Sequence, residues 1–499
     1  MSDTRQTTDR TSRRGRMDRR GFLRLTGVGA LAGAAAATAA PKRAAAAEGD
    51  RKPNFIVIFA DDQGYGDMSC YGSTKLKTPN FDRLAAEGMK FTDFYVTAPV
   101  CTPSRSSLMT GCYPRRVGLH QHVLFPHSKK GLNPKEITLA ELLKEQGYAT
   151  MCIGKWHLGH QKKFLPTRQG FDTYFGIPFS NDMWLPAGMS YAADAKLPDD
   201  LGAEKRKAGE RKRSVVPLMR DEEVIEYPAV QATLTERYAA EAVKFIAANK
   251  DRPFFIYLPH TMCHYPLHVS ERFKGTSGAG LLGDVIATMD WSVGHILAAL
   301  KQHGLDEQTL VLYTSDNGPA PGSAGPLRGK KGSSWEGGMR EPCLMRWPGK
   351  IPAGKICSEV ATIMDLLPTL AKLAGTKPPT DRVIDGKDIW PLLSGQEGAK
   401  TPYEAFFYHT SQGQLAAVRS GKWKLHIKVP RPRRRRPKKG EKPKPVPKPP
   451  AIALYDLEAD IGEKNNLADQ HPDVVARLKK LLADFDAEIE KNARPVGLI

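Results

Sequence analysis

Short apolar runs that end abruptly in polar or glycine-containing clusters recur along the chain, and helical periodicity fills the intervals. This alternation predicts an α/β domain built on a large, mostly parallel sheet flanked by helices. Four run ends carry side chains capable of chemistry. Residues 55–60 lead into Asp61-Asp62, 149–153 into Gly154-Lys155-Trp156-His157, 254–258 towards His260 and His264, and 310–314 into Ser315-Asp316-Asn317-Gly318. If these strands are parallel neighbours, their carboxyl ends gather the polar groups into one crevice, where open α/β sheets place ligands. Residues 80–88, 138–147, 234–248 and 283–303 read as the covering helices, several stopped by glycine.

After Leu393-Ser394-Gly395 the pattern shortens. Strand-like pieces at 415–418, 422–427 and 454–457 precede a final helix over 472–491, so residues 396–499 are expected to form a smaller C-terminal α+β subdomain behind a main domain over 48–395. A Lys/Arg/Pro tract at 429–450 interrupts it and reads as an extended, solvated insert. At the other end, Arg19-Arg20-Gly21-Phe22-Leu23-Arg24 and the mild apolar run behind it mark 1–47 as a twin-arginine signal peptide, with the Tat translocase as partner and a periplasmic or secreted destination. The run is too short and too rich in Ala and Gly for a stable membrane anchor.

The net charge of +20 suggests nucleic acid until it is divided along the chain. Residues 1–47 carry ten Arg/Lys against three Asp (+7) and 429–450 ten against one Glu (+9), which leaves only +4 for the rest. No specific nucleic-acid partner follows from that balance. The seven cysteines, at 70, 101, 112, 152, 263, 343 and 357, show neither a disulfide framework nor zinc spacing. Buried thiols with one functional exception are expected.

Two adjacent carboxylates at a strand end, Asp61-Asp62, are costly to bury without a cation. Asp316-Asn317 supplies a second oxygen-donating pair, and an all-oxygen set points to calcium or magnesium. Either pair alone would read as a turn or a helix cap. The sharpest local pattern is Cys101-Thr102-Pro103-Ser104-Arg105, continuing as Ser106-Ser107-Leu108-Met109-Thr110-Gly111.

With Phe59-Ala60-Asp61-Asp62, the Cys101 motif, Gly154-Lys155-Trp156-His157-Leu158-Gly159, Ile177 to Asp182, His264-Tyr265-Pro266, Thr314 to Gly318 and Gly332 to Gly338 in this order, the chain resembles the sulfatase family of the Cys-type, formylglycine-dependent class, over about 54–467. The resemblance implies an alkaline-phosphatase-like fold and hydrolysis of aryl sulfates or sulfated carbohydrates to alcohol and inorganic sulfate. It implies that a formylglycine-generating enzyme converts Cys101 to 3-oxoalanine before folding, and that the hydrated aldehyde, bound to the metal, passes through a covalent sulfo-enzyme intermediate. Asp61, Asp62, Cys101, Asp316 and Asn317 would hold one divalent cation, calcium in preference to magnesium. Arg105 would steady position 101, while Lys155, His157, His264 and Lys331 would surround the sulfate and Ser180 would lie on the substrate side. Lys330 stands beside Lys331, and Lys331 is favoured because it directly precedes Gly332. The chemistry agrees with these residue types: cations neutralise an anionic, crowded sulfur centre, and His264 or Lys331 can protonate the leaving alcohol while His157 acts as base. His120, His122, His260 and His268 read as structural residues, and Trp156 and Trp335 as packing supports. Two alternatives stay open at this point: a phosphate-ester hydrolase on the same scaffold, and a non-catalytic glycan-binding protein whose Cys101 remains a thiol.

Overall fold

The computed structural model describes residues 51–430 and 449–499. The twin-arginine segment and most of the basic tract lie outside the described residues. Among the described residues, no helix is long and apolar enough to cross a membrane.

The 12-stranded main sheet has the four sequence-predicted strands side by side at its centre. Asn54–Ala60 pairs in parallel with Thr309–Ser315 on one side and with Phe254–Pro259 on the other, and Ala149–Ile153 lies parallel to Phe254–Pro259. In register, Ala60 stands opposite Ser315 and Phe59 opposite Pro259, so Asp61-Asp62, Asp316-Asn317, His260 and Lys155 leave the sheet at one edge. These strands are continuous apolar runs because both of their faces are covered. Alternate residues show it: Phe55, Val57 and Phe59 enter one core cluster, Ile56, Ile58 and Ala60 the other. The first face is covered by Cys101–Thr110, Leu139–Glu145 and Leu366–Leu373, and the second by Leu234–Ala248 and Gly280–Gln302.

The sheet extends beyond what the apolar runs announce. Arg340–Arg346 and Met89–Tyr95 add antiparallel and antiparallel-paired strands on one side. On the other, Thr173–Gly176 is followed by Leu218–Arg220, Glu223–Glu226 and Ser190–Lys196. Asn54–Ala60, Pro79–Glu87 and Gly280–Gln302 differ from the predicted bounds only by a few terminal residues. All seven cysteines are free, five of them buried.

Behind the main sheet, a four-stranded antiparallel sheet runs Phe406–His409, Leu415–Ser420, Trp423–His426, Ala453–Asp456. The helix Pro472–Lys491 lays Leu478 and Leu482 on Leu415, Val418, Leu425 and Leu454. The subdomain meets the main domain through Phe406, Tyr408, Ala417 and Ile489, which join its core, and through a buried ionic network. Lys424 Nζ lies 2.8 Å from Glu336, 2.9 Å from Glu463 and 2.9 Å from the Ser334 carbonyl, with all three charged side chains fully buried. Glu463 also accepts from the Glu336 N–H at 2.8 Å, and the Arg328 guanidinium, stacked on Trp335 at 3.8 Å, donates to the Glu463 carbonyl. The loop that bears Lys331 is thereby held by the small sheet. Replacing Lys424 with Met would remove the ammonium that two buried carboxylates share and is expected to cost about 3–5 kcal/mol, read as a lower thermal midpoint. An unchanged midpoint would mean the network contributes nothing to stability.

One glycine governs how the chain turns out of the strand Ala149–Ile153. Gly154 has φ +127, and a Cβ there would stand 1.9 Å from the Pro259 carbonyl oxygen. Gly154→Ala therefore strains the backbone and pushes the neighbouring strand away at the same time. Loss of soluble protein, or a strongly lowered thermal midpoint, is the expected result in an expression and melting assay.

Candidate active site

Asp61 and Asp62 follow their strand directly, and both are buried. The backbone at Asp62 takes φ 63, a region that costs a side-chain-bearing residue energy, and its N–H donates to Asp316 Oδ1 at 3.1 Å. The turn faces both acids towards the next strand end. Arg105, on the second turn of the buried helix Cys101–Thr110, spans the gap. Its Nε and Nη2 donate to Asp316 Oδ2 at 3.1 and 2.7 Å, Nη1 to the Lys155 carbonyl at 2.9 Å, and its plane lies over Phe59. Cys101 begins that helix, where free N–H groups and the helix dipole favour negative charge.

Ligand atoms of Asp61, Asp62, Cys101 and Asp316 lie within 4.8 Å of one another. Asp62 Oδ2, with His264 Nε2 at 3.9 Å, and Asn317 Oδ1 are buried without a hydrogen-bond partner, although Asn317 Nδ2 bonds Asp62 Oδ1 at 2.7 Å. Orphaned oxygens converging on an acidic cluster fit a hard divalent cation. Three cations surround the same acids: Arg105, Lys155 on Asp61, and Lys331, whose Nζ is 2.5 Å from Asp62 Oδ1 and 3.5 Å from Cys101 Sγ. Lys330 instead points to the Gly322 carbonyl from an exposed position. Lys331, not Lys330, reaches the cluster.

Electrostatics follow from this packing. Burial alone would raise Asp61, but Lys155, then His264 and Arg105, hold it below the usual carboxylate range. Burial likewise opposes ionisation of Asp62, and Lys331 and His264 overcome it. Burial, then the charge of Asp316, pushes the Cys101 thiol well up, so an unmodified thiol there stays protonated.

The two histidines are held in different ways. His264 Nδ1 faces two acceptors, Asn181 Oδ1 at 3.1 Å and the Tyr265 carbonyl at 2.6 Å, so Nδ1 carries the proton. Asn181 is oriented by its own donations to Gln231 Oε1 and the Pro266 carbonyl. His264 Nε2 is left to Ser180 Oγ at 3.1 Å, and Ser180 also meets Lys155 Nζ at 3.3 Å. His157, at φ 60, bonds the Leu124 carbonyl through Nε2 at 2.9 Å, and its buried Nδ1 has no partner. Burial, then Lys155 and Arg105, keep this imidazole neutral. His260 stands apart from both, buried against Ser292 Oγ at 3.2 Å.

Every sequence-predicted site residue thus belongs to one connected cluster. Two participants were not named from sequence. Leu124 acts through its carbonyl, which no side-chain pattern can reveal. Asn181 lies inside the quoted Ile177 to Asp182 motif, but its bond to His264 needs the fold. Trp156 and Trp335 are both buried, Trp335 against Tyr455.

A family model described as Sulfatase matches residues 53–376, and one described as the C-terminal region of aryl-sulfatase matches 401–497. Human arylsulfatase A is 40% identical over 463 residues, covering 88% of this chain and 89% of its own. The dog protein N-acetylgalactosamine-6-sulfatase is 39% identical over 408 residues, covering 76% and 73%. A solved sulfatase structure from Pseudoalteromonas sp. superposes with a TM-score of 0.74 at 28% identity, covering 90% of this chain and 92% of that one. With its main domain matched by the family model and most of its length shared with arylsulfatase A, the chain belongs to the sulfatase family and is a sulfuric ester hydrolase.

Proposed function

We propose that the protein is an exported enzyme that cleaves aryl sulfates or sulfated carbohydrates at a centre made by Asp61, Asp62, Asp316, Asn317 and a formylglycine at position 101. The observation that carries this reading is the convergence of the acidic ligand atoms and two orphaned oxygens inside a ring of three cations. Three carboxylates face Arg105, Lys155 and Lys331, a balanced set on their own. Adding a divalent ion, calcium in preference to magnesium, leaves a positive excess suited to a sulfate ester. When present, the ion and the hydrated aldehyde supply Lewis acidity and an oxygen nucleophile.

The chain's own groups do the rest. Lys155 and Lys331 bind the sulfate oxygens, and Arg105 fixes Asp316 beside position 101. His264 presents Nε2 to the leaving oxygen, with Nδ1–H anchored on Asn181 and Tyr265, and in its doubly protonated form gives the Nε2 proton to the departing alcohol, returning to the neutral ring. His157 keeps a bare Nδ1 lone pair in a neutral ring, the form a base requires. Ser180, between Lys155 and His264, lies where the leaving group enters. Arg19-Arg20 and the segment behind them support export through the Tat translocase, after a formylglycine-generating enzyme has acted on Cys101.

The deciding experiment is the mass of the Cys101 peptide from protein made in a host with the generating enzyme, alongside sulfate release. A mass about 18 Da below that of the thiol, together with turnover, is expected. An unmodified Cys101 in that host would overturn the reading.

A further inference from the structure

Two segments with no readable code in the sequence, residues 119–130 and the stretch after Asp182, meet beside this centre. Leu124 is tied to it on both sides: its N–H donates to Thr102 Oγ1 at 3.1 Å, and its carbonyl accepts from His157. The next residue, Phe125, lies 5.7 Å from His127 and 6.3 Å from Trp184, with interplanar angles of 2° and 19°. His127 and Trp184 are themselves 6.1 Å apart at 17°. Three near-parallel rings at nearly equal separations cannot form one column, because the outer rings of a column at contact stand roughly 7 Å apart. They spread sideways instead, with Trp184 buried at 8% exposure, Phe125 half-buried and His127 exposed. Trp184 reaches the other two from the Ser180 side, just after the turn in which the Met183 N–H bonds the Ser180 carbonyl at 3.2 Å.

Both segments also carry exposed cations. Lys129, Lys130, Arg211, Lys212 and Arg213 are exposed, and among the described residues no carboxylate lies within ion-pair distance of any of them. The Arg211 guanidinium sits 5.2 Å over the Trp184 ring, a stacking that leaves its in-plane N–H fork open to an oxyanion. Rings alone would accept any flat apolar face. Rings beside unpaired guanidinium and ammonium groups discriminate in favour of a ring that is itself charged.

We infer that Phe125 and His127, backed by the buried Trp184, form with Arg211 a stacking subsite for the leaving ring, selecting rings that carry a second anionic group besides the ester being cut. This rests on the proposed active site for its location only. The stacked ring is a pyranose or an aryl ring, and the two share the chemistry the subsite reads.

The test is calorimetric titration of the Cys101→Ala protein, which holds ligand without turnover. The probes are matched mono- and disulfated forms of a hexosamine and of a phenol. The second sulfate is expected to tighten binding at least tenfold in one pair, which identifies the ring, and Arg211→Ala in the same background is expected to abolish that gain. Trp184→Leu, which removes the buried support behind Phe125 and His127, is expected to weaken both members of that pair. Arg211 is exposed, so its variant remains informative should Trp184→Leu fail to fold. No gain from the second sulfate in either pair, no binding of any probe, or a gain that survives Arg211→Ala would overturn the subsite. If Cys101 proves unmodified while the gain persists and depends on Arg211, the catalytic reading fails and the subsite stands.

Discussion

Cys101→Ala is expected to lower kcat/KM for a sulfate ester by about 10⁴-fold or more while leaving the thermal midpoint close to that of the parent protein. Cys101 is buried at the first position of a helix buried along its whole length, and alanine there removes only the sulfur of the unconverted residue or the aldehyde oxygen of the converted one. That sulfur makes two weak contacts, with Asp61 Oδ1 and Lys331 Nζ, each at 3.5 Å. Losing them is expected to cost about 1 kcal/mol. The activity loss is large because alanine offers no nucleophile, and the unmodified thiol could not serve in place of the aldehyde either, since burial and Asp316 keep it protonated. Sulfate release and a melting curve on the same sample separate the two effects, and residual turnover above about 1% would sink the mechanism. Asp316→Ala should be equally inactive but is a poorer test. It leaves the Arg105 guanidinium fully buried with its main partner gone, at about 3–5 kcal/mol, so Asp316→Asn is the cleaner variant.

The parts of the fold legible in the sequence are those whose burial is complete and local. The four central strands read as apolar runs because helices cover both faces, and the metal-type residues read clearly because each follows such a run. Arg340–Arg346 did not announce itself, since Pro342 and three charged side chains argue against a central strand. The structure accommodates them: a register shift between Glu341 and Cys343 takes up the proline, Arg340 pairs with Asp93 at 2.5 Å, and Arg346 with Asp306 at 2.7 Å. Phe406–His409 is similarly invisible, a short aromatic run that pairs with the nearby Leu415–Ser420 but packs its rings on Tyr95 and Tyr113, far away in sequence. At the site, side-chain identity was readable and orientation was not. His157 and His264 look alike as residues. They differ because one spends Nε2 on the Leu124 carbonyl, whereas the other spends Nδ1 on Asn181 and the Tyr265 carbonyl. Those partners come from segments that only the fold brings together.

Lys331→Ala is expected to lower kcat by about 10²–10³-fold, against a change within about twofold for Lys330→Ala. The two residues are adjacent, yet Lys330 ends at the Gly322 carbonyl in solvent while Lys331 bridges Asp62 and Cys101 with its side chain only 18% exposed. Burial would discharge Lys331, and Asp62 more than compensates, so the ammonium stays charged at the centre where anionic oxygens gather. Arginine should not rescue it, because a rigid planar fork cannot take the place of a compact ammonium between those two groups. The size of the loss across a series of aryl sulfates then tells binding from proton donation. If Lys331 protonates the leaving oxygen, the deficit of Lys331→Ala grows steadily as the leaving phenol becomes more basic, since a poorer leaving group depends more on the proton. If Lys331 only neutralises sulfate charge, the deficit is the same for every phenol, and His264, with Nδ1 anchored and Nε2 directed at the pocket, is the sole proton donor.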